Sequence, residues 1–95
     1  MAENNQLDIL QGGHNSWKYF DSGKSISAGN WKIIYFQEDS VVTTWTDTSD
    51  VDQIALGNIA GETIKAGGVL FAQNSKGTKS LAVSSGSGFV FGTME

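Results

Sequence analysis

The side chains able to do acid–base chemistry are few in this sequence, and its single histidine is His14. A general base has to be held rigidly and oriented by a partner group. His14 follows two glycines and precedes Asn15, so no neighbouring pattern supplies that support. The many serines include no G-x-S-x-G elbow around a nucleophile. We therefore predict no catalytic residue, and a hydrolase using Ser and Asp is kept only as a third hypothesis.

Residues 21–25 read DSGKS and resemble the end of the phosphate-binding pattern G-x-x-x-x-G-K-[ST]. The first glycine of that pattern would fall at position 18, where the chain has Lys18. The pattern also requires a helix whose N-terminus holds the phosphates, and the residues that follow, SISAGNW, are not helical in pattern. We predict no nucleotide site and no cofactor.

Carboxylates are the remaining candidates for chemistry. They are concentrated in the middle of the chain, at Glu38, Asp39, Asp47, Asp50 and Asp52. The spacing Asp47-x-x-Asp50-x-Asp52 offers some of the oxygen ligands that Ca²⁺ needs, but the central glycine and terminal Glu of an EF-hand are missing. The pattern favours a solvated loop without a metal, and an interfacial Ca²⁺ stays open as the alternative.

The basic residues of the last third are Lys65, Lys76 and Lys79. Together with the acidic middle they would give the domain an acidic end and a basic end that dock head to tail between subunits. Ordinary scatter of surface charge is the alternative.

These side chains must be positioned by strands. The stretch around which the predicted sheet is organised is residues 31–45, WKIIYFQEDSVVTTW. Two apolar, β-branched and aromatic runs flank a polar break, which predicts an antiparallel hairpin. With Phe36 opposite Val41, one face carries Ile34, Phe36, Val41 and Trp45, and the other carries Trp31, Ile33, Tyr35 and Val42. Because both faces are apolar, we expect one to be covered by the chain's own second layer and the other by another subunit.

Elsewhere short apolar runs alternate with turn residues at a spacing typical of a β-sandwich or barrel. The predicted strands are residues 16–20, 24–27, 54–59, 63–64, 69–73, 79–84 and 89–91, with a hairpin turn at residues 74–77 in which Gly77 takes the left-handed conformation. No segment has a convincing helical period with caps. We predict a single antiparallel β-sandwich or barrel of about seven to nine strands, comprising residues 14–95.

Residues 1–13 are predicted to form an N-terminal arm ahead of that domain. They are polar except near Leu7, Ile9 and Leu10, and they end in Gly12-Gly13. The Leu7-x-Ile9 alternation suits a strand added to the edge of a neighbouring subunit, and a frayed terminus is the alternative. The sequence shows neither a secretion signal nor an apolar run of the roughly 20 residues that a membrane span needs.

The composition limits the classes of partner that the chain is expected to bind. The formal net charge is −4 and the chain contains no Arg, which argues against nucleic-acid binding because that depends on basic patches and bidentate Arg. The aromatic residues Trp17, Trp31, Tyr35 and Trp45 suit either packing or a carbohydrate platform.

The segments EDSVV (38–42), IALGNIAGETIKAGGVLF (54–71) and SGSGFVF (85–91) resemble small β-rich structural proteins of tailed-bacteriophage virions, of the capsid-decoration (cement) or head-fibre type. The resemblance covers about two thirds of the chain. It implies a non-enzymatic protein, made in the host cytoplasm, that lies on the capsid surface as a homo-oligomer, often a homotrimer. Its partners would be its own copies and the major capsid protein, with no nucleic acid and no membrane.

We therefore expect a capsid-decoration protein that stabilises a capsid by sheet packing. The predicted interface residues are Leu7, Ile9, Leu10, Trp17, Trp31, Ile33, Tyr35, Val42 and Trp45. A monomeric β-sandwich that binds carbohydrate through exposed tryptophans, in adhesion or receptor binding, is the alternative.

Overall fold

Alternating apolar residues build most of the chain into antiparallel strands. The structure, a computed structural model, describes residues 16–94. Its strands are β1 (Ser16–Asp21), β2 (Asn30–Phe36), β3 (Ser40–Asp47), β4 (Thr63–Ile64), β5 (Val69–Leu70), β6 (Thr78–Ser85) and β7 (Ser87–Thr93), and one short helix, α1 (Gln53–Gly57), lies between β3 and β4. The predicted all-β antiparallel class is confirmed. The predicted arm, residues 1–13, and His14 lie outside the described residues.

The seven strands follow the order β1-β7-β2-β6-β3-β4, and β5 pairs with β2. β7 pairs with β2 from Asn30 to Phe36, whereas β6 meets β2 only where Trp31 lies opposite Thr78. The sheet therefore bends at Trp31 into two layers. The first layer contains β1, β7, β2 and β5, and the second contains β6, β3 and β4.

The predicted hairpin between residues 31 and 45 is wrong. β2 pairs with β7, β5 and β6, and β3 pairs with β6 and β4, so the two strands belong to different layers. The polar break of residues 37–39 is an arch from one layer to the other. Sequence neighbours usually pair, but here both strands are apolar enough to be central strands with other partners.

A single hydrophobic core fills the space between the layers. Its buried members are Phe20, Ile26, Trp31, Ile34, Phe36, Val42, Trp45, Leu81, Val83 and Val90. The rings of Phe20 and Phe36 meet edge to face, with centroids 5.6 Å apart. Leu81 and Val83 lie two residues apart on β6, and both are buried on its inner side.

Irregular pairing changes which residues of β2 and β3 enter this core. The register shifts between Trp31 and Ile33 in β2, and again around Val42 in β3. Trp31 and Val42 therefore face inward with Ile34, whereas Val41 is only partly buried. A bulge adds one residue to a strand and shifts every later side chain in the alternation, so the predicted division into two faces is wrong at these positions.

Four smaller predictions are also wrong. Residues 54–59 form no strand, because α1 begins after the N-cap Asp52 and ends at Asn58. Residues 24–27 form only isolated bridges, and the strand predicted over residues 69–73 ends at Leu70. In the turn over residues 74–77 the left-handed residues are Asn74 and Ser75 (φ 64° and 60°) rather than Gly77.

Candidate functional site

The candidate site is the outer surface of the first layer, which is apolar and mostly aromatic. Residues directly opposite each other in an antiparallel pair lie on the same face of the sheet. Trp17 lies opposite Phe91, and Tyr19 lies opposite Phe89. The same two phenylalanines lie opposite Ile33 and Tyr35 of β2, and Tyr35 in turn lies opposite Val69 of β5. We call this set the aromatic face: Trp17, Tyr19, Ile33, Tyr35, Val69, Phe89 and Phe91.

The intervening residues establish which side of the layer this is. Phe20, Ile34 and Val90 alternate with the aromatic face along their strands, and all three are fully buried in the core. Side chains alternate between the two sides of a strand. The aromatic face is therefore directed away from the second layer.

The aromatic face is exposed to different degrees. Trp17 is 64% exposed, Val69 is 55% exposed and Tyr35 is 38% exposed, whereas Phe89 and Phe91 are partly covered by their neighbours. Phe89 makes edge-to-face contacts with Trp17 at 5.9 Å and with Tyr19 at 5.4 Å between ring centroids. These contacts hold the rings in place without burying them, so the chain presents an ordered apolar surface.

The predicted interface residues are only partly brought together. Trp17, Ile33 and Tyr35 lie on the aromatic face. Trp31, Val42 and Trp45 do not, because they are buried in the core of the same chain. Placing Trp31 and Val42 on one face with Ile33 and Tyr35 was wrong, since the register shifts turn them inward. Trp45 also lines the groove described below. Leu7, Ile9 and Leu10 lie outside the described residues.

Sequence reasoning missed Tyr19, Phe89, Phe91 and Val69 as members of this surface. The alternations W-K-Y in β1 and F-V-F in β7 contained the signal, because in each the aromatic residues flank a single residue on the opposite side. What the alternation could not supply was the pairing of β7 between β1 and β2.

One end of the aromatic face is polar. Asp21 and Ser87 lie opposite each other one step beyond Tyr19 and Phe89. The Ser87 hydroxyl donates to Glu38 Oε1 at 3.1 Å and accepts from Gln37 Nε2 at 2.9 Å. This polar end joins the arch between the layers to the start of β7.

A groove opens beside β5, the two-residue strand at the edge of the first layer. It has a volume of about 420 Å³ and is lined by Trp45, Gly57, Ile59, Leu70, Phe71 and Gln73. Trp45 is almost wholly buried, and its indole Nε1 donates to Thr78 Oγ1 at 2.8 Å, whereas Phe71 is 66% exposed. We call this the β5 groove.

A buried carboxylate fixes the loop beside this groove. Asp47 is 2% exposed, and its Oδ1 accepts from the backbone amides of Ser49 at 2.7 Å and Val51 at 3.0 Å. Its Oδ2 accepts from Gln53 Nε2 at 3.1 Å, and Gln53 Oε1 in turn accepts from the amide of Gln73 at 2.9 Å. The hydrogen bond from Val51 is the main cause that lowers the pKa of Asp47 below its ordinary value.

The other central carboxylates are engaged by different parts of the chain. Asp39 accepts from the amide of Ala66 at 2.9 Å, which lowers its pKa, and it pairs with Lys65 at 3.6 Å. Asp50 forms an ion pair with Lys79, and Asp52 caps α1. The acidic middle and the basic last third therefore meet within one chain rather than forming two separate ends.

The remaining candidates for chemistry are the DSGKS segment and a metal site. Residues 21–25 begin as a tight turn closed by two backbone hydrogen bonds between Asp21 and Lys24. Within residues 16–94, no group of three or more His, Cys, Asp or Glu side chains is arranged to hold a metal ion. In the same part of the chain, no helix has the length and apolar character required to cross a bilayer.

Comparisons with protein-family models, with curated proteins and with solved structures found no match to this chain.

Proposed function

We propose that this chain is a structural protein that assembles with its own copies through the aromatic face, as a capsid-decoration protein of a virion. The observation that carries the proposal is the aromatic face itself. Monomeric proteins rarely expose contiguous apolar patches larger than a few hundred Å², and larger patches are typical of interaction surfaces. Aromatic residues are also the side chains that dominate binding energy at interfaces.

The charges are compatible with a second copy as the occupant. The chain has a formal net charge of −4, so two copies repel each other through most of their surfaces. The paired positions of the aromatic face contain no charged residue. Contact through an uncharged patch brings no like charges together at the interface between two copies.

The resemblance to small virion proteins supplies the class of assembly, an oligomer on a capsid surface with a homotrimer favoured. The mechanism is mass action: contacts made only by the folded chain stabilise the folded and assembled state over the free one. The major capsid protein is the second partner in this proposal, and the part of the surface that meets it is not assigned.

Light scattering on the purified chain tests the proposal. We expect the wild-type chain to form an oligomer, and we expect Trp17→Asp and Tyr35→Asp to shift it to the monomer by placing a charge in the apolar contact. Ser22→Asp, in the exposed turn after β1, is the matched control for charge and should leave the oligomer intact. A wild-type chain that stays monomeric at high concentration would contradict the proposal.

The position of the gene gives an independent test of the virion role. A gene for a major capsid protein next to this one supports capsid decoration. A neighbourhood of genes unrelated to virion assembly argues against it, even if the oligomer exists.

Carbohydrate binding is the second candidate, and the polar end of the aromatic face favours it. Exposed rings at Trp17 and Tyr35, with the carboxylate of Asp21 at the end of the same face, suit the apolar and polar sides of a sugar. A monomeric chain whose migration is retarded in gels containing soluble polysaccharide, with the retardation lost in Trp17→Ala, would favour this candidate over self-assembly.

A further inference from the structure

The β5 groove is a surface feature that the proposed assembly leaves unused. It has a volume of about 420 Å³ and lies beside the buried Trp45. The volume lies in the range of sites that hold a ligand. Its lining is apolar apart from Gln73, and Trp45 closes its inner end.

The chain itself contains a segment of matching character. Residues 1–15 precede β1, and apart from the first two residues their only apolar side chains are Leu7, Ile9 and Leu10. Burying a Leu or Ile side chain contributes about 1.5–3 kcal/mol. An extended segment also directs Leu7 and Ile9 to the same side, which suits a one-sided apolar groove.

The β5 groove adjoins the aromatic face at a single short strand. Val69 lies on the aromatic face, opposite Tyr35, whereas the next residue, Leu70, lines the groove. A copy seated on the aromatic face therefore has the groove of its neighbour within one strand width, about 5 Å, of the contact.

The chain's own arm starts much farther away. It leaves from Ser16 in β1, and β1 and β5 are separated by β7 and β2, so they lie about 14 Å apart across the sheet. The segment from Leu10 to Ser16 spans at most about 20 Å when fully extended. To enter its own groove the segment would have to span the width of the first layer and then turn around β5.

We propose that residues Leu7–Leu10 of one copy bind in the β5 groove of the neighbouring copy, with Leu7 and Ile9 between Ile59, Leu70 and Phe71. This inference rests on the proposed function, because it requires the second copy on the aromatic face. It makes the contact reciprocal: each subunit gives a segment and receives one.

The absence of cysteine in the chain makes disulfide cross-linking a clean test. Equal amounts of an Ile9→Cys chain and a Phe71→Cys chain are mixed and oxidised with a glutathione redox pair. We expect a disulfide-linked heterodimer on a non-reducing gel. Phe71 is largely exposed, so its replacement should leave the fold intact, and Gln73→Cys repeats the test from a second groove position.

Ser84→Cys is the matched control, because Ser84 is exposed but does not line the groove. Mixed with Ile9→Cys it should give at least tenfold less heterodimer. A chain with both Ile9→Cys and Phe71→Cys tests the alternative that the segment folds back, and a linked monomer as its main product would overturn the proposal.

Light scattering on the same samples distinguishes failure of the groove assignment from failure of the proposed assembly. An oligomer that yields no more link at Phe71 or Gln73 than at Ser84 overturns the groove assignment and leaves the proposed assembly standing. A chain that is monomeric under these conditions overturns both.

Discussion

At the scale of single residues, the three tryptophans show that residue type alone does not determine whether a side chain is buried. The Trp31 indole donates to the carbonyl of Ala28 at 2.8 Å, and that of Trp45 donates to Thr78, so both rings are buried with their polar atom satisfied. Trp17 lies on the edge strand β1, where its ring reaches Phe89 only from one side. The same side chain is thus a core residue twice and a surface residue once.

Replacement of these tryptophans should separate the two roles. We expect Trp31→Ala to cost about 3–5 kcal/mol of unfolding free energy, since it leaves a cavity in the core. Trp17→Ala is the control and should change the free energy by no more than about 0.5 kcal/mol in dilute solution. Urea unfolding followed by far-ultraviolet circular dichroism measures both. Equal losses in the two variants would contradict the assignment of Trp31 to the core.

Asp47 should make the stability depend on pH at the acid end. Its folded-state pKa is lowered from the ordinary 3.8, so near that pH the unfolded chain binds more protons than the folded one. The stabilisation is complete above the ordinary pKa and is lost as the pH falls through the lowered value. In Asp47→Asn an amide that donates hydrogen bonds replaces Oδ2 opposite Gln53 Nε2, whose own Oε1 is held by Gln73.

We therefore expect Asp47→Asn to melt at a lower temperature than the wild-type chain at pH 7, and the difference to shrink as the pH falls below the ordinary pKa of 3.8. Thermal unfolding in a pH series measures this. Asp50→Asn is the control, because a surface ion pair such as that with Lys79 contributes little. A difference that stays constant with pH would show that Asp47 acts through shape alone.

At the scale of elements, α1 is a helix held by its ends rather than by its length. The Asp52 side chain accepts from the amides of Ile54 at 3.0 Å and Ala55 at 3.4 Å. Asn58 closes the other end in the left-handed conformation. A helix of one turn and a half has no amphipathic period, so the sequence pattern pointed to a strand; the signal that was available was an Asp and an Asn at the two cap positions.

The cap can be tested by two substitutions at one position. We expect Asp52→Ala to reduce the free energy of unfolding by about 1 kcal/mol because two backbone amides lose their acceptor. Asp52→Asn keeps a capping oxygen and should remain within a few tenths of a kcal/mol of the wild-type chain. Urea denaturation midpoints at constant m-value measure the difference. Equal effects of Ala and Asn would show that the cap does not hold α1.

The strands themselves were largely predictable, whereas their partners were not. The alternation in β1, β3 and β6 is visible in the sequence, and so is the fact that β2 has apolar residues on both sides. The pairing depends on the arch at residues 37–39 and on the bulges at Trp31 and Val42, which leave no mark in the pattern of apolar residues. For the same reason the candidate site was predicted in kind, an outer apolar face with Trp17, Ile33 and Tyr35, but not in its full membership.

At the scale of the whole molecule, small size and exposed apolar surface point in the same direction. A domain of 95 residues buries only about 60–65% of the surface of its unfolded chain, so its stability alone is modest. The aromatic face adds apolar surface that the second layer cannot cover, because that layer lies against the opposite side of the same strands. Assembly through that face would convert this unfavourable exposure into stability.

Such coupling makes the melting temperature depend on protein concentration. Contacts formed only between folded chains stabilise them by mass action, so we expect the wild-type melting temperature to rise by several degrees over a hundredfold increase in concentration. Trp17→Asp should melt at nearly the same temperature throughout that range, because the charged side chain must be desolvated in the contact. Ser22→Asp changes the net charge equally and should keep the wild-type dependence. Differential scanning calorimetry, with scattering to detect aggregation, provides the measurement. A wild-type melting temperature that is constant over the range would mean that folding and assembly are not coupled. The folded monomer would then be stable with its aromatic face exposed to solvent.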